Sequence, residues 1–455
     1  MRRLVVVGAG IAGLAGARAT ISEARRAGID VGVTVLEAGE RIGGKLWTEE
    51  ADGVTMEWGP DSFLAAKPRG RGLAEELGLS LVPVASGARR AFLLRGGRLR
   101  PIPGGLVMGV PTTAGSLRSA VREGLVSVPG AARAAVEPLI PGGSIGEADE
   151  PATAVARRRL GREAADRLVE PLLRGVFGAS GTEIGVRSAF PQAVGNRSLV
   201  RSLRRRPGGG AQFLGIRGGF GRLVEALVAA LPADSVRTGA PVAAIRPAGG
   251  DRYEVVTDRD VEPADAVLVA TPAGAAGAML SGIARESSAA LRGVRYAASA
   301  VVVLRYPSTI QVPQGSGYLV DPEEGGTVAA CSWFSSKWPD LAGGRVVFRA
   351  VVTDPGMLAA PDDELRDRVA AEVSRTMGAR TGPDLVRMRR WNQALPVFGP
   401  GHGERMRAAL AAAPDGIALA GAFLGAVGVP DCIEAGESAA RALIGHLARR
   451  AGARQ

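Results

Sequence analysis

The segment Gly8-Ala9-Gly10-Ile11-Ala12-Gly13 constrains this chain more than any other, because of what flanks it. A short apolar run over residues 3–7 leads straight into it, and a helix-like stretch leaves it. A second apolar run, Val31–Leu36, ends at Glu37, and Arg41-Ile42-Gly43-Gly44-Lys45 follows. Strand, glycine loop, helix, strand and carboxylate in that order read as a βαβ unit for a dinucleotide. Gly8 permits the tight turn, Gly10 lets the backbone approach a pyrophosphate, and Gly13 lets helix and strand pack closely. The helix presents unpaired N–H groups and the positive end of its dipole to the phosphates. Glu37 stands where a carboxylate accepts the ribose hydroxyls.

At 455 residues the chain exceeds what one core supports, so two or three lobes are expected. A hydrophobic content of 46% and a mean hydropathy of +0.12 fit a globular protein. The apolar run before the glycine loop is too short for a secretory signal, which predicts a cytoplasmic protein. Residues 266–284 carry no charge, but Pro272, Gly274 and Gly277 interrupt them. Strand, turn and helix are expected there, not a membrane span. Apolar residues around 104–109 point to peripheral membrane contact at most. Cys331 and Cys432 lack CxxC spacing, and His402 and His446 are the only histidines. Neither a metal site nor a Cys/His nucleophile is expected, so the chemistry falls to a cofactor.

The net charge of +11 is almost all arginine, since Lys45, Lys67 and Lys337 are the only lysines. A solvated basic surface and attraction of an anionic substrate both fit it. Nucleic acid does not, because the Arg204-Arg205-Arg206 run lacks interleaved aromatics and adjoins a linker-like Pro207-Gly208-Gly209-Gly210.

Three textures follow one another. Residues 1–66 form the βαβ unit. Residues 101–212 show helical spacing, notably over 116–123, 151–161 and 162–176. From Gly218 the α/β texture returns, with a helix to residue 231 and strands over 242–245, 253–256 and 265–270. A second sheet is expected from 297–306, 317–320, 328–333 and 346–352, then a helix over 362–377. A strand at 417–419, a glycine-rich turn and a helix from about 434 to 450 close the chain. This tail, with Val427-Gly428-Val429-Pro430-Asp431-Cys432-Ile433, again offers backbone N–H groups to an anion or a flavin edge. Two such elements at opposite ends suggest an extended cofactor gripped from both.

With these residues together, the chain resembles the FAD-dependent protoporphyrinogen and coproporphyrinogen oxidases of heme biosynthesis, within the flavin amine oxidase superfamily. Gly8–Gly13, Glu37, residues 41–45, Gly218-Gly219 and Thr271-Pro272 carry the superfamily likeness. More specific are Glu57-Trp58-Gly59-Pro60-Asp61-Ser62-Phe63, Glu170-Pro171-Leu172 with Gly175-Val176-Phe177, Trp391-Asn392-Gln393-Ala394-Leu395-Pro396, and the tail. The resemblance implies an α/β fold: a Rossmann-like FAD-binding domain with a mixed-sheet substrate domain and a helical insertion. Residues 1–75, 210–275 and 405–455 would build the FAD-binding domain, 76–100 and 276–404 the substrate sheet, and 101–209 the helical, membrane-facing insertion. It implies pyrophosphate contacts at Gly8–Gly13 and ribose at Glu37. Arg41, Gly44, Lys45 and Gly59, Pro60, Asp61 and Ser62 would follow the ribityl chain and flavin. Val242 would lend backbone hydrogen bonds to adenine. Trp391 would pack near the isoalloxazine, and Val427, Gly428 and Val429 would meet its polar edge.

The implied reaction is a six-electron, O₂-dependent oxidation of a porphyrinogen to a porphyrin, with no catalytic side chain and with peroxide released. Product handover to a ferrochelatase would follow. The bacterial, coproporphyrinogen-using branch fits better than protoporphyrinogen, since the chain is strongly basic and has Ala91 where the eukaryotic enzymes place an arginine. Arg90, one residue upstream, would take a propionate only through a local bulge or a changed pocket; otherwise it belongs to a solvated face. Gly175 would let the backbone approach a pyrrole, and Leu319 would sandwich the macrocycle, or serve as turn and core respectively. An amine oxidase or desaturase on the same fold, and a porphyrin-binding flavoprotein without turnover, remain as alternatives. Lys337, in a loop-like context before Trp338-Pro339, argues against the amine reading.

Overall fold

The computed structural model describes residues 1–204 and 213–452. At its centre lies a five-stranded parallel sheet, ordered Val236–Arg237, Val31–Leu36, Arg2–Val7, Ala266–Val269 and Ile417–Leu419. Its inner strands are apolar without alternation because helices cover both faces; every residue of Ala266–Val269 is buried. Register decides where a ligand can sit. Val7 lies beside Leu36 on one side and Val269 on the other, and Val269 beside Leu419. The glycine loop, Glu37, Thr271 and Gly421 therefore all leave the sheet at its carboxyl edge, the ligand side of open α/β sheets. The helix Ile11–Ala27 packs on the tail helix Val429–Gly452 with backbones almost touching. A methyl group at Gly16 would stand 3.0 Å from the Gly436 carbonyl oxygen.

The second sheet has seven strands: Leu385–Pro396, Tyr296–Tyr306, Val346–Val352, Ala330–Trp333, Gly317–Val320, Ala91–Arg95 and Arg98–Pro101. Only the pair Gly317–Val320 with Ala91–Arg95 is parallel. One face buries Tyr306, Trp333 and Phe348 with Leu365, Val369 and Val373 of the helix Asp362–Thr376. A helical lobe has its own core, including Ala152–Leu160 and Glu170–Phe177. The charge-free 266–284 stretch is a strand, a turn and the helix Ala273–Leu280, and no described helix is long and apolar enough to cross a membrane.

Several expectations need correction. Leu385–Pro396 is a twelve-residue strand that the sequence hid, because Arg387, Arg389 and Arg390 give an edge strand a loop-like polarity. The tail helix starts at Val429, not near 434; Pro430 fits its first turn, where no N–H is needed. The helix expected over 162–176 is relieved by a π-helical turn at Ala165–Val169 before Glu170–Phe177. Strands Thr48–Ala51, Val54–Glu57, Phe213–Ile216 and Val261–Ala264 were not anticipated. Of the arginine run and linker at 204–210, only Arg204 lies within the described residues.

Candidate active site

A cavity of about 1790 Å³ opens between the carboxyl edge of the parallel sheet, the seven-stranded sheet and the helical lobe. That exceeds the roughly 300–1,000 Å³ of single-ligand pockets, so it has room for two ligands end to end. At the sheet edge, Gly8 has φ +103°, and a methyl group there would stand 2.8 Å from the Ala270 carbonyl oxygen. One at Gly13 would collide with the Gly8 carbonyl. These two glycines serve the fold. Gly10 differs: its nearest neighbour would be the Gly44 Cα at 3.9 Å, so bare backbone faces the cavity. No side chain caps the helix that Gly10 opens, and its first N–H groups remain available. Glu37 lines the cavity while bracing the loop, accepting from the backbone of Ala9 at 2.8 Å and of Gly39 at 3.0 Å. Ile11, Ala12, Arg41, Gly44 and Val242 line it too; Ala9 and Gly13 do not.

Farther along, Lys45, Gly59, Pro60, Asp61, Ser62, Trp391, Val427, Gly428 and Val429 all line the wall. The Gly59–Ser62 loop is held from the second sheet. Arg349 donates to the carbonyl of Glu57 at 2.8 Å and to that of Gly59. The Asp61 carboxylate takes the Lys337 ammonium at 2.6 Å and the Ser62 hydroxyl at 2.9 Å. Burial pushes the Asp61 carboxyl up, but Lys337 and Arg349 outweigh it and hold it at about 2. Lys337 thus stands directly behind a cavity-wall residue, closer to the site than its sequence context suggested. Trp391 donates its indole N–H to the Trp58 carbonyl at 2.8 Å. Lys67 grips both oxygens of Asp431 at 2.6 Å, tying the tail to residues near the first motif. Burial pushes the Cys432 thiol up to about 12, so it stays protonated.

At the helical lobe the cavity meets Arg174, Gly175 and Val176. Leu319 lies behind Gly175, 2.7 Å from where a methyl group on it would stand, and is not part of the wall. Arg90 is a correction. Ala91 begins its strand in regular register with Gly317, so there is no bulge, and the Arg90 side chain is exposed and does not line the cavity. Sequence reasoning missed Arg174, Tyr296 and Arg349; of these only Arg174 left a trace, as the fourth residue after Glu170 on a helix. The string Gly142-Gly143-Ser144-Ile145-Gly146 has the spacing of a hydrolase nucleophile elbow. It lies outside any strand-turn-helix, with Ser144 exposed and absent from the cavity wall.

The family model described as "Flavin containing amine oxidoreductase" matches residues 11–444. The coproporphyrinogen III oxidase of Bacillus subtilis (strain 168) is 31% identical over 462 residues, covering 96% of this chain and 97% of that protein. The coproporphyrinogen III oxidase of Mycobacterium tuberculosis (strain ATCC 25618 / H37Rv) is 33% identical over 459 residues, covering 97% of each. A crystal structure from Exiguobacterium sp. 255-15, provisionally named protoporphyrinogen oxidase, superimposes with a TM-score of 0.84 at 33% identity, covering 99% of both chains.

Proposed function

This chain belongs to the family of flavin containing amine oxidoreductases, and within it we propose an FAD- and O₂-dependent oxidation of coproporphyrinogen III to coproporphyrin III in heme biosynthesis. The observation that carries this reading is a continuous, mostly apolar cavity that joins the glycine loop to a second chamber at the helical lobe. The residues fit FAD: the uncapped helix start and bare Gly10 suit a pyrophosphate, and Glu37 a ribose. Bound there, FAD supplies a hydride acceptor that O₂ restores with release of peroxide.

The chain's own part is binding, orientation and exclusion of water. Gly59–Ser62, Trp391 and Val427–Val429 fix one face of the chamber, and the helical lobe the other. Each two-electron step breaks a C–H bond of a bridging methylene, whose electron pair leaves with the hydrogen, and the macrocycle sheds one proton. Three such steps and three O₂ give the porphyrin and three peroxides. This scheme asks no side chain to act as nucleophile, and Cys432 in the wall is held as a thiol. The bacterial relatives' names favour the tetracarboxylate substrate over protoporphyrinogen IX. We propose a cytoplasmic setting and product release towards an iron-inserting enzyme.

The purified protein is expected to be yellow, and to convert coproporphyrinogen III to fluorescent porphyrin with O₂ uptake, faster than it converts protoporphyrinogen IX. A yellow protein giving no porphyrin above autoxidation would leave a binding flavoprotein instead. Faster turnover of protoporphyrinogen IX would move the assignment to that substrate.

A further inference from the structure

Among the described residues the cavity wall carries five cations, and four are already engaged or placed towards the glycine-loop end. Arg41 donates to the carbonyls of Ile42, Leu46 and Gly44. Arg349 holds the carbonyls of Glu57 and Gly59, and Lys67 holds Asp431. Lys45 stands against the Tyr296 ring, 5.3 Å from its centroid. Arg174 is the fifth. Its Nε donates to Glu170 at 2.8 Å, and neither terminal nitrogen has a partner among the described residues.

Glu170 is built to hold it. The carboxylate is almost wholly buried and accepts the Thr153 hydroxyl at 2.6 Å, the Ser180 hydroxyl at 2.7 Å and the Gly181 N–H at 3.1 Å. Burial pushes its pKa up, but hydrogen bonds from Thr153, Ser180 and Arg174 hold it below the usual range. An ionised, immobile carboxylate therefore pins the near side of the guanidinium. The far side, two parallel N–H-bearing nitrogens, is left at the wall with its side chain 48% exposed. Beside it Gly175 and Val176 present bare backbone and an exposed apolar side chain to the same cavity, with Leu319 filling the space behind. A fork that pairs with carboxylates in bidentate fashion, next to bare backbone and an exposed apolar side chain, suits a largely apolar body with a carboxylate arm.

We propose that Arg174, oriented by Glu170, is the residue that takes a substrate carboxylate in the second chamber. This rests on the porphyrinogen reading above and assigns the anchor that Arg90 does not supply. It also makes the interaction salt-sensitive, because the fork is open to solvent.

The test compares coproporphyrinogen III with its uncharged tetramethyl ester in wild type and R174Q, both FAD-loaded. Binding of coproporphyrin III is measured separately by fluorescence quenching, which needs no turnover. R174Q is expected to raise KM for the acid and Kd for coproporphyrin III about tenfold or more, the usual range for losing a charged hydrogen-bond pair. Its kcat should stay within about twofold and its KM for the ester unchanged, because the contact is remote from the reacting carbon. Raised salt should weaken acid binding in wild type and much less in R174Q. An unchanged KM and Kd for the acid in R174Q, with FAD occupancy and unfolding midpoint preserved, overturns the assignment while leaving the oxidase reading standing. Absence of turnover in wild type overturns the oxidase reading, and the binding measurement still decides Arg174.

Discussion

Two carboxylates close together in sequence have opposite fates, and neighbours decide which. Asp61 faces two cations and keeps its charge until the pH falls to about 2. Glu57 is buried, its Oε1 accepting from the Phe220 N–H at 2.7 Å and the Thr48 hydroxyl at 3.0 Å, while its Oε2 has no partner among the described residues. Burial, opposed only in part by those hydrogen bonds, pushes its carboxyl up to about 8. The unfolded chain's value is about 4, so the folded protein holds the extra proton between the two. Stability from this group is complete below about pH 4 and lost as pH rises towards 8. Urea unfolding of wild type should thus weaken over that window. E57Q, which keeps the acceptor and cannot ionise, should flatten this part of the profile and exceed wild type at pH 8 by on the order of a few kcal/mol. A wild-type profile matched by E57Q at every pH would mean Glu57 is charged in the fold.

At the scale of elements, the crossing of the first and last helices joins the glycine loop to the tail segment that lines the cavity. A methyl group on Gly436 would overlap the Ala12 carbonyl and stand 3.0 Å from the Gly16 nitrogen, with backbone on both sides. Neither can retreat without moving the helix that begins at the glycine loop. G436A is expected to cost about 1–3 kcal/mol by overpacking and to lower FAD occupancy with it. Gly445, on the same helix, is the control: its methyl group would meet only the end of the Arg449 side chain at 3.6 Å. G445A should gain about 0.5–1 kcal/mol from helix propensity. Equal effects at the two positions would show that the crossing tolerates a side chain. The glycine motif and its strands were legible in sequence because each is local, as were the tail's strand and turn. The strand Leu385–Pro396 was not, since its pattern of arginines has the polarity of a loop until Tyr296–Tyr306 pairs with it.

Across the whole molecule, the wall of the cavity is shared between lobes, and the Asp61–Lys337 pair is one joint. Both side chains are about nine-tenths buried, with Asp61 from the loop after the first hairpin and Lys337 from the helix Phe334–Lys337. Breaking a pair this buried leaves one charge stranded, a loss of about 3 kcal/mol or more. K337M and D61N should each destabilise, with the double variant losing at least about 1 kcal/mol less than the sum, read by urea unfolding. Strict additivity would mean the two lobes are not coupled there.

The sequence by itself determined the dinucleotide end. Its chemistry needs glycine, an uncapped helix start and a carboxylate at fixed spacing along one βαβ unit, and such spacing survives in one dimension. Its quoted motifs also carried the family likeness and, through it, the flavin. Only the tertiary structure decided which arginine reaches the cavity wall. Arg90 adjoins Ala91, and Arg174 falls between Glu170-Pro171-Leu172 and Gly175-Val176-Phe177. A regular strand register turns one outward, while a buried Glu170 fixes the other at the cavity wall. Which face a side chain takes, and which of its donors are already spent, depends on partners far away in the chain.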